Sequence, residues 1–258
     1  FMNLVPGPYD VRIRDAVNTN CSLIINPNLI ITEPEAITAT VQSTNITCNG
    51  ADDGTITITG AAGGYGTYQY SINGTAWQSS GNFTALSPGY YSVQIRDAVH
   101  TGCVTILNGS LRITEPAILR ATLQSTNLTC FSADDGTITI TSPAGGYGTY
   151  EYSIDGGTVW SSTGSFTGLQ PATYDVRMRD AAYHDCFVIL NNALVITEPA
   201  ILAATVSSVN VTCFGADNGT ISITSPSGGY GTYEYSIDGG TTWSGTGAFS
   251  NLEPGTYS

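Results

Sequence analysis

The chain has 258 residues, with 7 Lys+Arg against 20 Asp+Glu and a formal net charge of −13. Every Lys+Arg cation is an arginine, and lysine is absent. Such a surface cannot neutralise phosphates, which excludes nucleic-acid binding and adhesion to anionic lipid; without lysine there is no Schiff-base chemistry, no P-loop and no Lys–Asn isopeptide bond.

Only 10% of residues are charged, yet 41% are hydrophobic and 15 are tyrosine, so the chain can bury cores and is not disordered. No apolar run approaches ~20 residues, so no membrane insertion is expected. Phe1–Pro8 does not read as a signal peptide. Internal repeats dominate the pattern. Thr-Glu-Pro recurs at Thr32, Thr114 and Thr197, in steps of 82 and 83 residues. Cys21, Cys103 and Cys186 keep that step, as do Cys48, Cys130 and Cys213, and Trp77, Trp160 and Trp243. The period of about 83 residues divides the chain into the tail of one repeat (1–33), two complete repeats (34–115 and 116–198) and the front of a further one (199–258). Residues 251–258 (NLEPGTYS) match residues 3–10 (NLVPGPYD) in phase, as expected of a segment of a longer tandem array.

Taken in chain order within one repeat, Ile37–Thr47 reads as a strand that ends at Cys48, followed by a loop holding Asp52-Asp53. Thr55–Thr59 alternates, with Ile56 and Ile58 on one face. Gly-Gly-Tyr-Gly then leads into Tyr68–Ile72, whose Tyr68, Tyr70 and Ile72 share a face. It joins strand to strand, so it is no dinucleotide-binding loop. Asn73-Gly74 supplies turn residues that tolerate positive φ. Tyr91–Arg96 puts Tyr91, Val93 and Ile95 inward and Arg96 outward, and Tyr174, Val176 and Met178 repeat that pattern. A hairpin carrying Asp97 and Cys103 precedes the last strand, Val104–Thr114, and the Thr-Glu-Pro joint. No window has a 3.6-residue apolar period. Short strands with turn signals every 8–12 residues predict an all-β antiparallel sandwich of six or seven strands per repeat. The proline limits backbone freedom at the joint, which predicts repeats arranged end to end.

The run Cys130-Phe131-Ser132-Ala133-Asp134-Asp135-Gly136-Thr137, the Gly145–Gly157 and Gly228–Gly240 segments, Arg-Asp-Ala and the closing Ile-Thr-Glu-Pro resemble the SprB repeat. The resemblance covers essentially the whole chain. It implies an immunoglobulin-like β-sandwich in very large bacterial surface proteins, typically exported by the type IX secretion system and used for adhesion or gliding.

Two cysteines per repeat in a lysine-free, Thr/Ser-rich chain point to an oxidising, extracellular setting. Metal-ligand spacings such as C-x-x-C are absent, and no zinc is expected. Pairing across the joint (Cys21–Cys48, Cys103–Cys130, Cys186–Cys213) would join the far ends of diverging strands, tens of ångströms apart. Cys48 and Cys103 are expected at the same pole of the sandwich, which predicts Cys48–Cys103 and Cys130–Cys186 disulfides within repeats. Cys21 and Cys213 are then expected to pair outside this segment or with another chain. Asp52, Asp53, Asp134, Asp135 and Asp217 are candidate calcium ligands; the competing reading, which we favour, is turn capping, and Asn218 in the last copy weakens a site built on paired charges. Tyr65, Tyr147 and Tyr230 are candidate glycan contacts, whereas the tryptophans read as core or hairpin cover. His100 and His184 sit in a variable loop, no Ser-His-Asp or Cys-His set repeats, and catalysis is not expected. Eight Asn-x-Ser/Thr sequons occur, as chance allows in an Asn/Thr-rich chain.

The function expected is a non-catalytic stalk or fibre segment of a giant adhesin at the bacterial cell surface, setting length and stiffness. The alternative is a weak lectin in each repeat, acting by avidity on surface glycans. Expected partners are neighbouring repeats, with lateral self-association or strand donation into a filament as a further possibility. No cofactor is expected.

Overall fold

A computed structural model describes residues 1–258 and is all-β. The chain divides into two compact units, Phe1–Pro116 and Ala117–Ser258. The first begins with a hairpin of β1 (Gly7–Arg14) and β2 (Ser22–Ile31). Six strands follow: β3 (Thr38–Thr44), β4 (Gly54–Ala62), β5 (Tyr68–Ser71), β6 (Asn82–Leu86), β7 (Gly89–Asp97) and β8 (Val104–Ile113). They form two three-stranded antiparallel sheets, β3-β4-β6 and β5-β7-β8.

The second unit repeats this plan. β9 (Ala117–Thr126), β10 (Gly136–Gly146) and β12 (Ser165–Leu169) make one sheet; β11 (Tyr150–Ser153), β13 (Ala172–Asp180) and β14 (Phe187–Ile196) make the other. β15 (Ala203–Val209), β16 (Gly219–Ser227) and β17 (Ala248–Leu252) form the first sheet of a further copy. Even the irregularities recur. β7 and β8 slip register at Tyr91/Val93, β13 and β14 at Tyr174/Val176, and β1 and β2 at Tyr9/Val11. In each, the strand partner is an asparagine (Asn108, Asn191, Asn26) whose side-chain oxygen accepts from the N–H two residues on.

The core of 34–115 lies between its sheets: Ile56 and Ile58 from β4, Leu86 from β6, Val93 from β7 and Ile113 from β8, with Ile46 from the loop after β3. The buried set of 116–198 includes Leu128, Ile138, Ile140, Val176, Met178 and Ile196. Each of these side chains contributes roughly 1.5–3 kcal/mol on leaving water. The predicted alternation of Ile56/Ile58 and of Val93/Ile95 is what β4 and β7 show. β5 differs from expectation. It stops at Ser71, and Ser71 is its fully buried residue while Tyr68 and Tyr70 are half-buried. The reason is local: the Ser71 hydroxyl accepts from Gly74 N–H at 2.8 Å, which holds the Asn73-Gly74 turn against the sheet.

Where only part of a repeat is present, its faces lack cover. The β1–β2 hairpin leaves Ile13, Leu23 and Ile24 exposed, and β15 leaves Val206 and Val209 exposed.

Candidate functional site: the ends of each repeat

Each complete repeat has two structured poles, one at the chain exit and one at the chain entry. At the exit pole the loop after β3 folds back on the end of β8. Ile46 N–H donates to Thr114 C=O at 3.0 Å, and Thr114 N–H donates to the Asn45 side-chain oxygen at 2.9 Å. Gly50 N–H donates to the Glu115 carboxylate at 2.9 Å, and Asn49 Nδ2 donates to Pro116 C=O at 3.1 Å. The next repeat rebuilds this with Leu128 N–H on Thr197 C=O, Thr197 N–H on Asn127 and Ser132 N–H on Glu198. The Thr-Glu-Pro joint is thus gripped by its own repeat. The sequence reading gave Asn45, Asn127, Glu115 and Glu198 no such role, although all four keep the repeat step.

The aspartates belong to this pole. Asp53 accepts from the Thr47 N–H (2.9 Å) and the Thr47 hydroxyl, and Asp135 does the same with Thr129. Those bonds, the hydroxyl's first, hold both carboxyls below their ordinary value. Asn218 keeps the arrangement with one polarity reversed: its oxygen accepts from Thr212 N–H at 3.0 Å, and its Nδ2 donates to the Thr212 hydroxyl at 2.9 Å. Asp52, Asp134 and Asp217 adopt positive φ of 50°, 48° and 45°, a left-handed conformation that Asp tolerates. Asp134 also accepts from Gln170 Nε2 at 3.2 Å. No group of three or more His, Cys, Asp and Glu side chains converges anywhere in the chain.

At the entry pole, the Gly-Gly-Tyr-Gly loop lies over the chain as it leaves the joint. Gly64 N–H donates to Glu35 C=O at 2.8 Å, and Gly229 N–H to Ala200 C=O at 2.8 Å. A Cβ on Gly145 would sit 2.1 Å from Ile118 C=O, which explains the paired glycines. Asp97, fully buried at the end of β7, accepts from the N–H groups of Tyr65, Val99 and His100. These bonds, His100's first, depress its pKa. Asp180 likewise receives Tyr147, Ala182 and Tyr183 N–H. The Tyr65 ring stacks on His100 at 4.1 Å, and Tyr147 packs on Tyr183 at 4.7 Å. The residue equivalent to His100 is therefore Tyr183, not His184, which instead lies 3.8 Å from Glu151. One ring face of Tyr65 and one of Tyr147 are occupied by these partners. Tyr230 donates its hydroxyl to Leu128 C=O at 2.6 Å.

The tryptophans cover hairpins. The Arg96 guanidinium stacks over Trp77 at 4.3 Å while donating to Gln69 Oε1 at 2.8 and 2.7 Å. Arg179 stacks over Trp160 at 4.2 Å and pairs with Glu151. Arg96 and Arg179 share the tryptophan step of 83, which was the available signal for this stack.

The cysteine expectation is corrected. Cys21, Cys103, Cys130 and Cys213 are exposed free thiols, so neither Cys48–Cys103 nor Cys130–Cys186 forms. Cys48 and Cys186 are not among the free thiols. Cys48 stands at the exit pole, beside Thr114 and Glu115, whereas Cys103 immediately precedes Val104 at the far end of β8. A ten-residue strand of about 3.3 Å per residue separates them, far beyond the ~6 Å Cα spacing a disulfide needs. Cys130 and Cys186 stand at opposite poles of 116–198 in the same way, Cys130 two residues from the Ser132–Glu198 bond and Cys186 at the start of β14.

The sequence profile described as the SprB repeat matches residues 40–76, 122–159 and 205–242. The chain therefore carries three tandem SprB-repeat matches. No curated protein matches it. SprB repeats are tandem cell-surface repeats of gliding-motility adhesins, a structural family not known as catalytic. No helix of the chain is long and apolar enough to cross a membrane.

Proposed function

We propose that this chain is a non-catalytic stalk segment of a giant secreted adhesin or extracellular filament, in which repeat number sets length and the gripped joint sets stiffness. One observation carries this reading. Both complete repeats bind the glutamate of their own Thr-Glu-Pro exit through a backbone N–H, Gly50 on Glu115 and Ser132 on Glu198. A joint fixed by its own module sends the chain out in the same direction at every copy. The polar clamps recur from copy to copy, with Asn218 serving where the other copies use Asp53 and Asp135, and no catalytic set of side chains is confined to one repeat. Export to the bacterial surface by type IX secretion and service in adhesion or gliding accord with the family.

The partners in this reading are neighbouring repeats of the same chain. Electron microscopy of the native material tests it: single strands whose length scales with repeat number support a stalk, and laterally bundled strands support a multi-chain filament. A glycan array probed with two adjoining repeats tests the lectin alternative, and saturable sugar binding there would displace the stalk reading.

A further inference from the structure

We propose that copies of this chain join head to tail by completing one repeat between them, the β1–β2 hairpin of one copy seating on the open β15-β16-β17 sheet of a second copy.

Each of these elements is half of a repeat. Residues 199–258 form the first sheet of a repeat, and residues 1–33 form the hairpin of a second sheet, as β7–β8 and β13–β14 do in the complete repeats. Each half bares what a complete repeat covers. Ile95 of β7 is fully buried, whereas its counterpart Ile13 is 59% exposed. Val41 packs against the core of 34–115, whereas its counterpart Val206 is 65% exposed. Val206, Val209, Gly219, Ile221 and Leu252 line a hollow over the bare sheet.

The complete repeats fix the register of the missing contact. A Cβ on Gly54 would come 2.8 Å from Ile113, and one on Gly136 would come 2.9 Å from Ile196. The counterparts are Gly219 and Ile31, so the Ile31 side chain seats against Gly219. β11 pairs with residues 177–180 of β13, which puts residues 233–236 of one copy beside residues 12–15 of the other. Charge agrees with this register. Glu151 pairs with Arg179, which stacks on Trp160 at 4.2 Å. The counterparts are Glu234 and Trp243 on the open sheet and Arg14 on the hairpin, and all three are exposed. Asp15 is preset in the same way. Its Oδ1 accepts from Val17 and Asn18 N–H, as Asp180 Oδ1 does from Ala182 and Tyr183 N–H. Asp180 Oδ2 takes Tyr147 N–H, and the counterpart donor for Asp15 is Tyr230 N–H of the second copy.

Residues 3–10 and 251–258 match in phase and compete for one place. The hairpin holds it, because Gly7, Pro8 and Tyr9 are already paired with Ile31, Ile30 and Leu29 of β2, whereas the residues after Leu252 belong to no strand. Seating therefore displaces residues 253–258. The two surfaces differ, so the contact repeats from copy to copy and builds a filament. The stalk reading concerns repeats joined covalently, and failure of this contact would leave it standing.

The test is sedimentation of the full 258-residue chain, its exposed thiols alkylated so that no disulfide links copies. Mass that grows with concentration in steps of 26.9 kDa is the expected result, and the mass of one copy at every concentration overturns the proposal. Charge reversal reads the register. Arg14→Glu and Glu234→Arg alter exposed side chains, set like charges face to face, and are each expected to weaken association about tenfold or more. An equimolar mixture of the two variants opposes unlike charges at every contact and is expected to recover the parent's association. Association unchanged by either reversal, or a mixture that fails to recover it, overturns the proposed register. Removal of residues 253–258 takes away the competing segment and should tighten association; looser association after that removal also overturns it.

Discussion

Asp53, Asp97, Asp135 and Asp238 accept from backbone N–H groups, and this makes them acid-sensitive. Asp53, Asp97 and Asp135 are held below 3.8 by hydrogen bonds from Thr47, His100 and Thr129 respectively, and Asp238 is lowered to about 2 chiefly by Thr242. A carboxyl depressed in the folded state stabilises fully above its unfolded pKa, and that stabilisation is lost as pH falls through the folded value. Thermal stability is therefore expected to be level from neutral pH down to about pH 4 and to fall between about pH 4 and pH 2, as melting scans across that range would read. Asn218 already replaces an aspartate of this set and keeps both bonds. Asp135→Asn should accordingly leave the neutral-pH Tm within a few degrees of the parent. A second residue-scale prediction contrasts two glycines. Gly145→Ala meets the Ile118 carbonyl at 2.1 Å on top of a φ of +87°, while Gly148→Ala, at φ +93°, meets nothing within 4 Å. The first should cost about 2 kcal/mol or more and the second about 1 kcal/mol, measured by urea unfolding.

At the scale of elements, the strands were legible because apolar alternation is a local signal: Ile56/Ile58 and Val93/Ile95 needed no tertiary information. The sandwich followed from strand length and turn spacing. The poles were not legible, since which loop meets which depends on where β3 turns back and on the full length of β8. That one missing fact misplaced Cys103 beside Cys48. The groups that Asp53 and Asp135 cap belong to Thr47 and Thr129, six residues earlier, and the grip of Asn45 on Thr114 spans 69 residues and leaves no local trace. The Asn127–Thr197 bond, at 3.0 Å, is the equivalent grip in the next repeat. Asn127→Ala leaves the Thr197 N–H without that acceptor and should destabilise 116–198 by about 1–2 kcal/mol. Ile138→Ala, in the fully buried core, should cost about 2–5 kcal/mol. A urea midpoint that shifted equally for both would mean that the joint is as deeply integrated as the core.

At the scale of the whole molecule, the decisive property is that each repeat closes its own core and grips its own exit. Arrays built this way gain stability from each repeat and its nearest neighbours, and removal of one copy leaves each remaining complete repeat its own core and its own gripped exit. Deletion of residues 116–198 brings Glu115 directly before Pro199, the same Glu-Pro junction that the intact chain has at Glu115-Pro116 and Glu198-Pro199. The shortened chain is expected to fold, with the 34–115 repeat keeping its unfolding midpoint. A strand of 8–10 residues with its loops spans about 35–45 Å, so the maximum dimension from small-angle scattering should shrink by about that amount. Because the acidic loops satisfy their own turns, EDTA should leave the Tm of both the parent and the shortened chain unchanged. A fall in Tm of several degrees on chelation would instead identify the exit-pole aspartates as metal ligands, with Asp134 and Asp135 the first to substitute. Loss of fold in 34–115 after the deletion would show that a repeat depends on its neighbour for more than attachment, and the modular basis of the stalk would fail with it.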